Sequence, residues 1–288
     1  MNAICATLEA VTPLDAVAME RVTERWDGLI KPPGSLGMLE EMVTQLAGAL
    51  QAMPMGLPSK ALLILADTKE SPLWPMFGMP EPVVLTLAAG PAGVLLTSET
   101  ILSAIHQGME AAGASIDCGT QVLGIAQTVS GEAAGQSLAI TLLAMKELES
   151  ALALPTIIGL LCRCDGGRPA AVLLGIILAC AARRVIIVLD GLMTACAALA
   201  AYCLNPVIGE YVMSVNLSDY PEHAAIFQAL GRRPGLLLQM PDGGGVGAAL
   251  TVSLLEAGVK ALREMGTFAE AGVSIALQDL VSQQDFRR

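Results

Sequence analysis

Positive charge is scarce in this 288-residue chain: 16 Lys and Arg stand against 27 Asp and Glu, a formal charge of −11. A phosphate backbone demands a basic stripe, so nucleic acid is excluded as a partner. Nor does any long-range field draw in a phosphorylated substrate. Histidine is scarcer still. With only His106 and His223, no His-rich metal site is available, and neither metal nor cofactor is expected. No apolar run reaches bilayer length: the longest, PAAVLLGIILACAA (169–182), stops at Arg183-Arg184, short of the ~20 residues a span requires. Glu9, Asp15 and Glu20 interrupt the N-terminus, which argues against a signal peptide. The expectation is a cytoplasmic protein without membrane association. The seven cysteines are odd in number, and Cys162-Arg163-Cys164 has the wrong spacing for a zinc knuckle or a thioredoxin-type redox pair. Most sit in apolar segments and read as buried, reduced thiols.

Apolar residues, by contrast, are in excess. Adding the 29 glycines to the 54% hydrophobic residues brings the apolar share to about 64%, well above the usual ~45–50%. A parallel sheet covered on both faces absorbs such an excess, and so does a large subunit interface.

The order of segments indicates the fold. The first ~50 residues carry two helical periodicities, separated by the Pro- and Gly-punctuated turn KPPGSLG (31–37). KALLILAD (60–67) reads as the first buried strand. Beyond it, strand-like PTIIGLL (155–161), VIIVLD (185–190), PVIGEYVMSV (206–215) and GLLLQM (235–240) alternate with helices at roughly 169–182 and 191–204. Such alternation implies parallel pairing. The expected class is α/β: an open, mostly parallel sheet flanked by helices, with a small helical domain formed by the N- and C-terminal segments. The boundaries are 1–55 completed by 264–288 for the small domain, and 56–263 for the large one. No internal repeat, low-complexity tract or linker interrupts the chain.

In open α/β sheets ligands sit beyond the carboxyl ends of strands. Asp67, Asp190 and the loop carrying Gly243, Gly244, Gly245 and Gly247 hold such positions. A glycine-rich turn leading into a helix offers backbone N–H groups to an anion. Yet no acid, base or nucleophile occurs between Asp242 and Glu256. The loop has the shape of a nucleotide site without its chemistry.

Five segments, in order along the chain, resemble the nicotinate-nucleotide:dimethylbenzimidazole phosphoribosyltransferases. These are KPPGSLGMLEE (31–41), LDGLMTACAALAA (189–201), ALGRRPGLLLQM, GGGVGAAL and EMGTFAEAGV (264–273). The resemblance implies α-ribotide synthesis for the lower ligand of cobamides. The departures from the family pattern are as specific. Where the family carries its general base, this chain has Gly244, and a second acidic position is Val122, in VLGIAQT. The family's DHG after the first strand appears as Asp67-Thr68-Lys69. A histidine- and glutamate-bearing segment is eroded to SVNLSDYPEH (214–223), and the stretch 145–167 is too short for the phosphate-cradling segment and lysine-bearing helix. A positioned base contributes about 10²–10⁴-fold, and each charge-assisted hydrogen bond to a phosphate about 1.5–3 kcal/mol. The large-domain site is therefore expected to be vestigial.

The small-domain signatures, by contrast, are intact. In the family one subunit's small domain covers its partner's site, so Lys31, Pro32, Pro33, Ser35, Thr267 and Phe268 are expected to contribute to a partner's site. From spacing alone, KPPGSLG reads first as a helix–helix turn, and the resemblance moves it towards a role near the nucleotide. The resemblance extends to a two-chain version that attaches phenol or p-cresol and has one catalytic chain. The expectation is the non-catalytic subunit of such a heterodimer, paired with a homologous catalytic chain. Two alternatives stay open: an active transferase with a relocated base (Asp242, Glu222, or a water held by Asp190), and a non-enzymatic module that binds a phenol, a benzimidazole or a nucleotide.

Overall fold

The structure is a computed structural model, and it describes residues 1–66, 78–87, 95–128, 132–148, 151–213, 216–238, 240 and 244–272. The chain forms two compact units. One comprises Met1–Pro13 and Ser59–Val252, the other Leu14–Pro58 and Ser253–Arg288. The first thirteen residues thus belong with the α/β unit, whereas the sequence reading grouped them with the small helical one.

The first unit is built on five parallel strands, β1 (Lys60–Ala66), β2 (Val83–Thr86), β3 (Val122–Gln127), β4 (Ile186–Leu189) and β5 (Val212–Met213), in the order β2-β1-β3-β4-β5. The strand order reverses between β1 and β3, the place where doubly wound sheets open a ligand crevice beyond their carboxyl ends. All four residues of β4 are buried, as a strand covered on both faces must be. The helices of this unit are α1 (Asn2–Glu9), α4 (Ser98–Asp117), α5 (Glu132–Leu148), α6 (Leu154–Leu161), α7 (Gly167–Ala182), α8 (Leu192–Leu204) and α9 (Pro221–Ala229). Helix α10 (Val246–Glu264) starts in this unit and ends in the second. Both α7 and α8 are apolar nearly all round and buried along almost their whole length, the signature of a core helix.

Glycine sets how closely α4 and α7 approach. A Cβ added at Gly108 would overlap the Val172 carbonyl, and one at Gly175 the Ile105 carbonyl. On the sheet, a Cβ at Gly124 would come 2.9 Å from Leu62 Cδ1 and 3.1 Å from Ala248 Cβ. The first turns of α10 therefore lie directly on the middle of β3.

Three expected strands differ. PTIIGLL is helix α6: Pro155 sits in its first turn, and Leu154, Ile157, Ile158 and Leu161 are buried at helical spacing, a period that a short apolar run conceals. PVIGEYVMSV opens with a 3-10 helix, Pro206–Tyr211, whose first turn is capped by the Asn205 side chain accepting from the Val207 N–H at 3.1 Å. Among its described residues Val212–Met213 is strand. Among the described residues GLLLQM pairs through Leu236, bridged to Asn216. The Leu238 N–H then donates to the Asn216 side-chain oxygen at 2.8 Å, and Leu237 and Leu238 turn out to solvent, 71% and 51% exposed. The central strand β3, read in the sequence only as a motif, and the edge strand β2 complete the sheet.

The second unit packs α2 (Ala16–Gly28), α3 (Met38–Leu50) and the end of α10. Asp15 caps α2, its Oδ1 accepting from the Ala18 N–H at 2.8 Å, the role an N-cap aspartate favours. A Cβ at Gly258 would lie 2.8 Å from Val43 Cγ2 and 3.3 Å from the Leu39 carbonyl, so α3 and α10 meet closely there. Among the described residues no helix is long and apolar enough to cross a membrane.

Candidate functional site

At the carboxyl end of β4 the chain leaves the sheet through Asp190 and Gly191. The Asp190 N–H donates to the Ile125 carbonyl on β3 at 3.0 Å. Gly191 holds φ 95°, in the left-handed region that favours glycine. Asp190 is 3% exposed. Its Oδ2 accepts from the N–H of Gly245 at 2.8 Å and of Gly247 at 3.1 Å. A helix leaves its first N–H groups without intrahelical partners, and its N-terminus carries partial positive charge. A buried carboxylate here satisfies both demands with charge-assisted bonds. Two N–H groups that the glycine loop was expected to offer an anion are thus held by a carboxylate of the same chain.

Of the expected loop residues, Gly245 holds φ 93°, a conformation that suits glycine alone. Gly244 is different: among the described residues, its chain neighbours aside, no atom lies within 4 Å of a Cβ built there, and its φ is not left-handed. The position that lacks the base is thus open to a side chain. Gly243 and Asp242, like Asp67 beyond β1, lie outside the described residues. Val122 opens β3 and is fully buried between Lys60 of β1 and Ile186 of β4. A carboxylate there would be desolvated, with Lys60 of β1 paired beside it. Asp190 follows the last residue of β4, whereas Val122 begins β3, so these two residues stand at opposite strand ends.

His223, on α9, is 1% exposed. The Ser218 N–H lies 3.3 Å from its Nδ1 and the Ser218 hydroxyl 2.9 Å. A backbone N–H can only donate, so Nδ1 accepts and the ring proton resides on Nε2. That Nε2 and Glu222 Oε2 are buried without a hydrogen-bond partner among the described residues. Burial lowers the His223 pKa to about 4, so the ring is neutral near pH 7. Phe227 packs beside it at 4.6 Å between centroids.

In the second unit the structure joins signatures that lie far apart in the chain. Leu29 bridges Thr267 in antiparallel fashion, the Ile30 N–H donates to the Gly266 carbonyl at 3.0 Å, and the Phe268 N–H to the Gly28 carbonyl at 3.0 Å. Thr267 and Glu270 form a capping box: the Thr267 N–H donates to Glu270 Oε2 at 2.7 Å and the Glu270 N–H to Thr267 Oγ1 at 3.1 Å. Hydrogen bonds to the carboxyl from the Thr267 backbone N–H and from the Thr267 side chain hold Glu270 below its ordinary pKa. Phe268 is buried; Ser35 is exposed, and Pro32 and Pro33 are half-buried. Lys31 points inward. Its ammonium meets Glu40 Oε1 at 2.8 Å, the two side chains being 5% and 9% exposed, and lies 5.6 Å from the Trp26 ring centroid.

Sequence reasoning missed Glu40 and Asn216. The signal for Glu40 lay in its place in the first turn of α3, where acidic residues are favoured. Asn216 carried none, because its side-chain partners lie more than twenty residues away. Of the seven cysteines, Cys180, Cys196 and Cys203 are buried, Cys5 and Cys118 exposed, and all are free; burial pushes the Cys180 and Cys196 thiols strongly upward in pKa. No cluster of three metal-ligating side chains occurs among the described residues. A groove of about 290 Å³ runs along Glu99, Thr100, Ser103, Ala104 and Gln107 of α4 and Arg168 of α7, and it includes none of the residues singled out above.

Comparison with known proteins adds three findings. Residues 11–68 and 128–273 match a family described as "Phosphoribosyltransferase". The nicotinate-nucleotide–dimethylbenzimidazole phosphoribosyltransferase of Desulforudis audaxviator is 28% identical over 353 aligned positions, covering 97% of this chain and all of that protein. Those positions outnumber the 288 residues here, so parts of that protein have no counterpart. The enzyme of that name from Citrifermentans bemidjiense is 46% identical, but over 77 residues, 27% of this chain and 22% of that protein. The crystal structure of the Thermus thermophilus protein of that name superposes with a TM-score of 0.75 at 23% identity, covering 91% of this chain and 99% of that one. Its fold is shared.

Proposed function

The chain belongs to the nicotinate-nucleotide:dimethylbenzimidazole phosphoribosyltransferase family, and on that premise we propose that it is the non-catalytic subunit of a heterodimeric α-phosphoribosyltransferase of cobamide lower-ligand synthesis. In this reading a homologous chain performs the transfer from nicotinate mononucleotide to phenol or p-cresol. This chain lends the KPPGSLG and Thr267–Phe268 elements to that partner's site.

One observation supports the reading: the position matching the family's base is Gly244, with no described atom outside its chain neighbours within 4 Å of a Cβ built there, beside a loop whose N–H groups at 245 and 247 are committed to Asp190. Transfer requires that an acceptor be deprotonated as it attacks C1′ and that the 5′-phosphate be held. Glycine supplies no base, and an anion entering the loop competes with a carboxylate already in place. Asp190 Oδ2 is engaged at the start of α10, which weighs against Asp190 acting as a relocated base through a held water.

The test is nicotinate release from nicotinate mononucleotide by the purified chain, with p-cresol and then dimethylbenzimidazole as acceptor. The chain alone is expected to be inactive. Gly244→Glu, which the open space accommodates, is expected to remain folded. Activity in the wild-type chain approaching an ordinary ~1–10³ s⁻¹ refutes the proposal.

A further inference from the structure

Lys31 heads the KPPGSLG signature, yet its ammonium is buried and turned away from solvent. We infer that Lys31 is a positioning residue, paired with Glu40 as an internal strut that sets the conformation of the turn between them. Four observations meet at this point. The ion pair closes the ends of the segment 31–40 at 2.8 Å. The same Glu40 oxygen accepts from the Leu36 N–H at 3.1 Å, so one carboxylate grips the base and the far side of the turn. The Trp26 ring, 1% exposed, lies 5.6 Å from the ammonium, which favours the cation where water is excluded. Ahead of the turn, the Leu29–Thr267 bridge fixes the entering chain.

Between these anchors the backbone folds on its own short bonds. Ser35 N–H donates to the Pro32 carbonyl at 3.1 Å and Gly37 N–H to the Gly34 carbonyl at 3.0 Å, with Gly34 at φ 70° and Gly37 at φ 52°. The outcome is that Ser35 stands exposed at the tip. A buried ion pair is costly to desolvate and weak as a source of stability, and its attested use is conformational specificity. Two glycines in left-handed conformations leave this turn many alternatives, and the strut selects one. That the turn is presented to a partner's nucleotide rests on the functional reading above. The strut does not.

The experiment is hydrogen exchange on the full chain, comparing wild type with Lys31→Met/Glu40→Leu, which exchanges the ion pair for an apolar one. The amides read are Ser35 and Gly37, whose acceptors belong to neither residue of the pair. The expected result is exchange about tenfold or more faster at these two amides, with the melting temperature and the interior amides of α3 unchanged. Lys31→Arg, which keeps the pair, is expected to keep exchange slow. Unchanged Ser35 and Gly37 rates overturn the inference, and so does acceleration spread equally through α3, which marks the pair as general ballast. If the double variant does not fold, Glu40→Gln is read at the same amides with the same two outcomes. A chain that passes this test but confers no activity on a co-purifying catalytic chain refutes the functional reading and leaves the strut standing.

Discussion

Asp190→Ala is the perturbation that most directly tests how the glycine loop is held. The substitution removes one oxygen that accepts from two N–H groups, at 2.8 and 3.1 Å, in a residue 3% exposed. Hydrogen bonds to a charged group contribute about 1.5–3 kcal/mol each, so two give about 3–6 kcal/mol, with water entering the vacated space offsetting part. The lower figure is the safer expectation. Asp190→Asn keeps an acceptor of the same shape and loses the ionic share, roughly half. Stability is expected to fall in the order wild type, Asn, Ala. With a urea m-value of about 3 kcal/mol/M, the alanine variant's midpoint drops by about 1 M. Hydrogen exchange localises the effect: the Gly245 and Gly247 amides should exchange faster in both variants, while the middle of α10 is less affected. An alanine variant within about 0.5 kcal/mol of wild type, with those two amides unchanged, refutes the cap. The loop would then be open to an anion, and the case for a filled site would lose its physical basis.

Two further predictions concern the interior. His223 has its folded-state pKa lowered by burial to about 4, against 6.5 for the free group. Between those values the unfolded chain takes up a proton that the folded chain refuses. Stability is therefore full above pH 6.5 and declines as pH falls towards 4, by up to about 1.4 kcal/mol per pH unit from this residue. Urea midpoints at pH 7, 6 and 5 should fall more steeply in wild type than in His223→Gln, and parallel slopes refute it. Gly108→Ala drives a Cβ into the Val172 carbonyl and forces α4 from α7, at a cost of about 1–3 kcal/mol or more. Gly113→Ala, on the same helix with nothing within 4 Å, should be neutral or stabilising by up to about 1 kcal/mol. Thermal melts of the pair check the contrast, and equal melting temperatures refute the close approach.

The sequence by itself determined the class of fold and most of its buried elements. β1, α7, β4 and α8 announce themselves because each is a run of apolar residues bounded by charge, glycine or proline, and such runs have few places to go but a covered sheet or a core helix. The glycine loop was equally legible, since it is a statement about residue identity. Where local signals were ambiguous, tertiary structure decided. PTIIGLL satisfies both a buried strand and a short helix, and its helical burial pattern exists only once neighbours cover Leu154, Ile157, Ile158 and Leu161. Who fills the glycine loop was not readable at all, because Asp190 and Gly245 are 55 positions apart. Lys31 shows the same limit: its place in the KPPGSLG turn was legible, but its pairing with Glu40 and Trp26 exists only in the folded chain. Local chemistry sets which groups seek partners. Which partner each obtains depends on contacts between distant segments, and these form only in the packed chain.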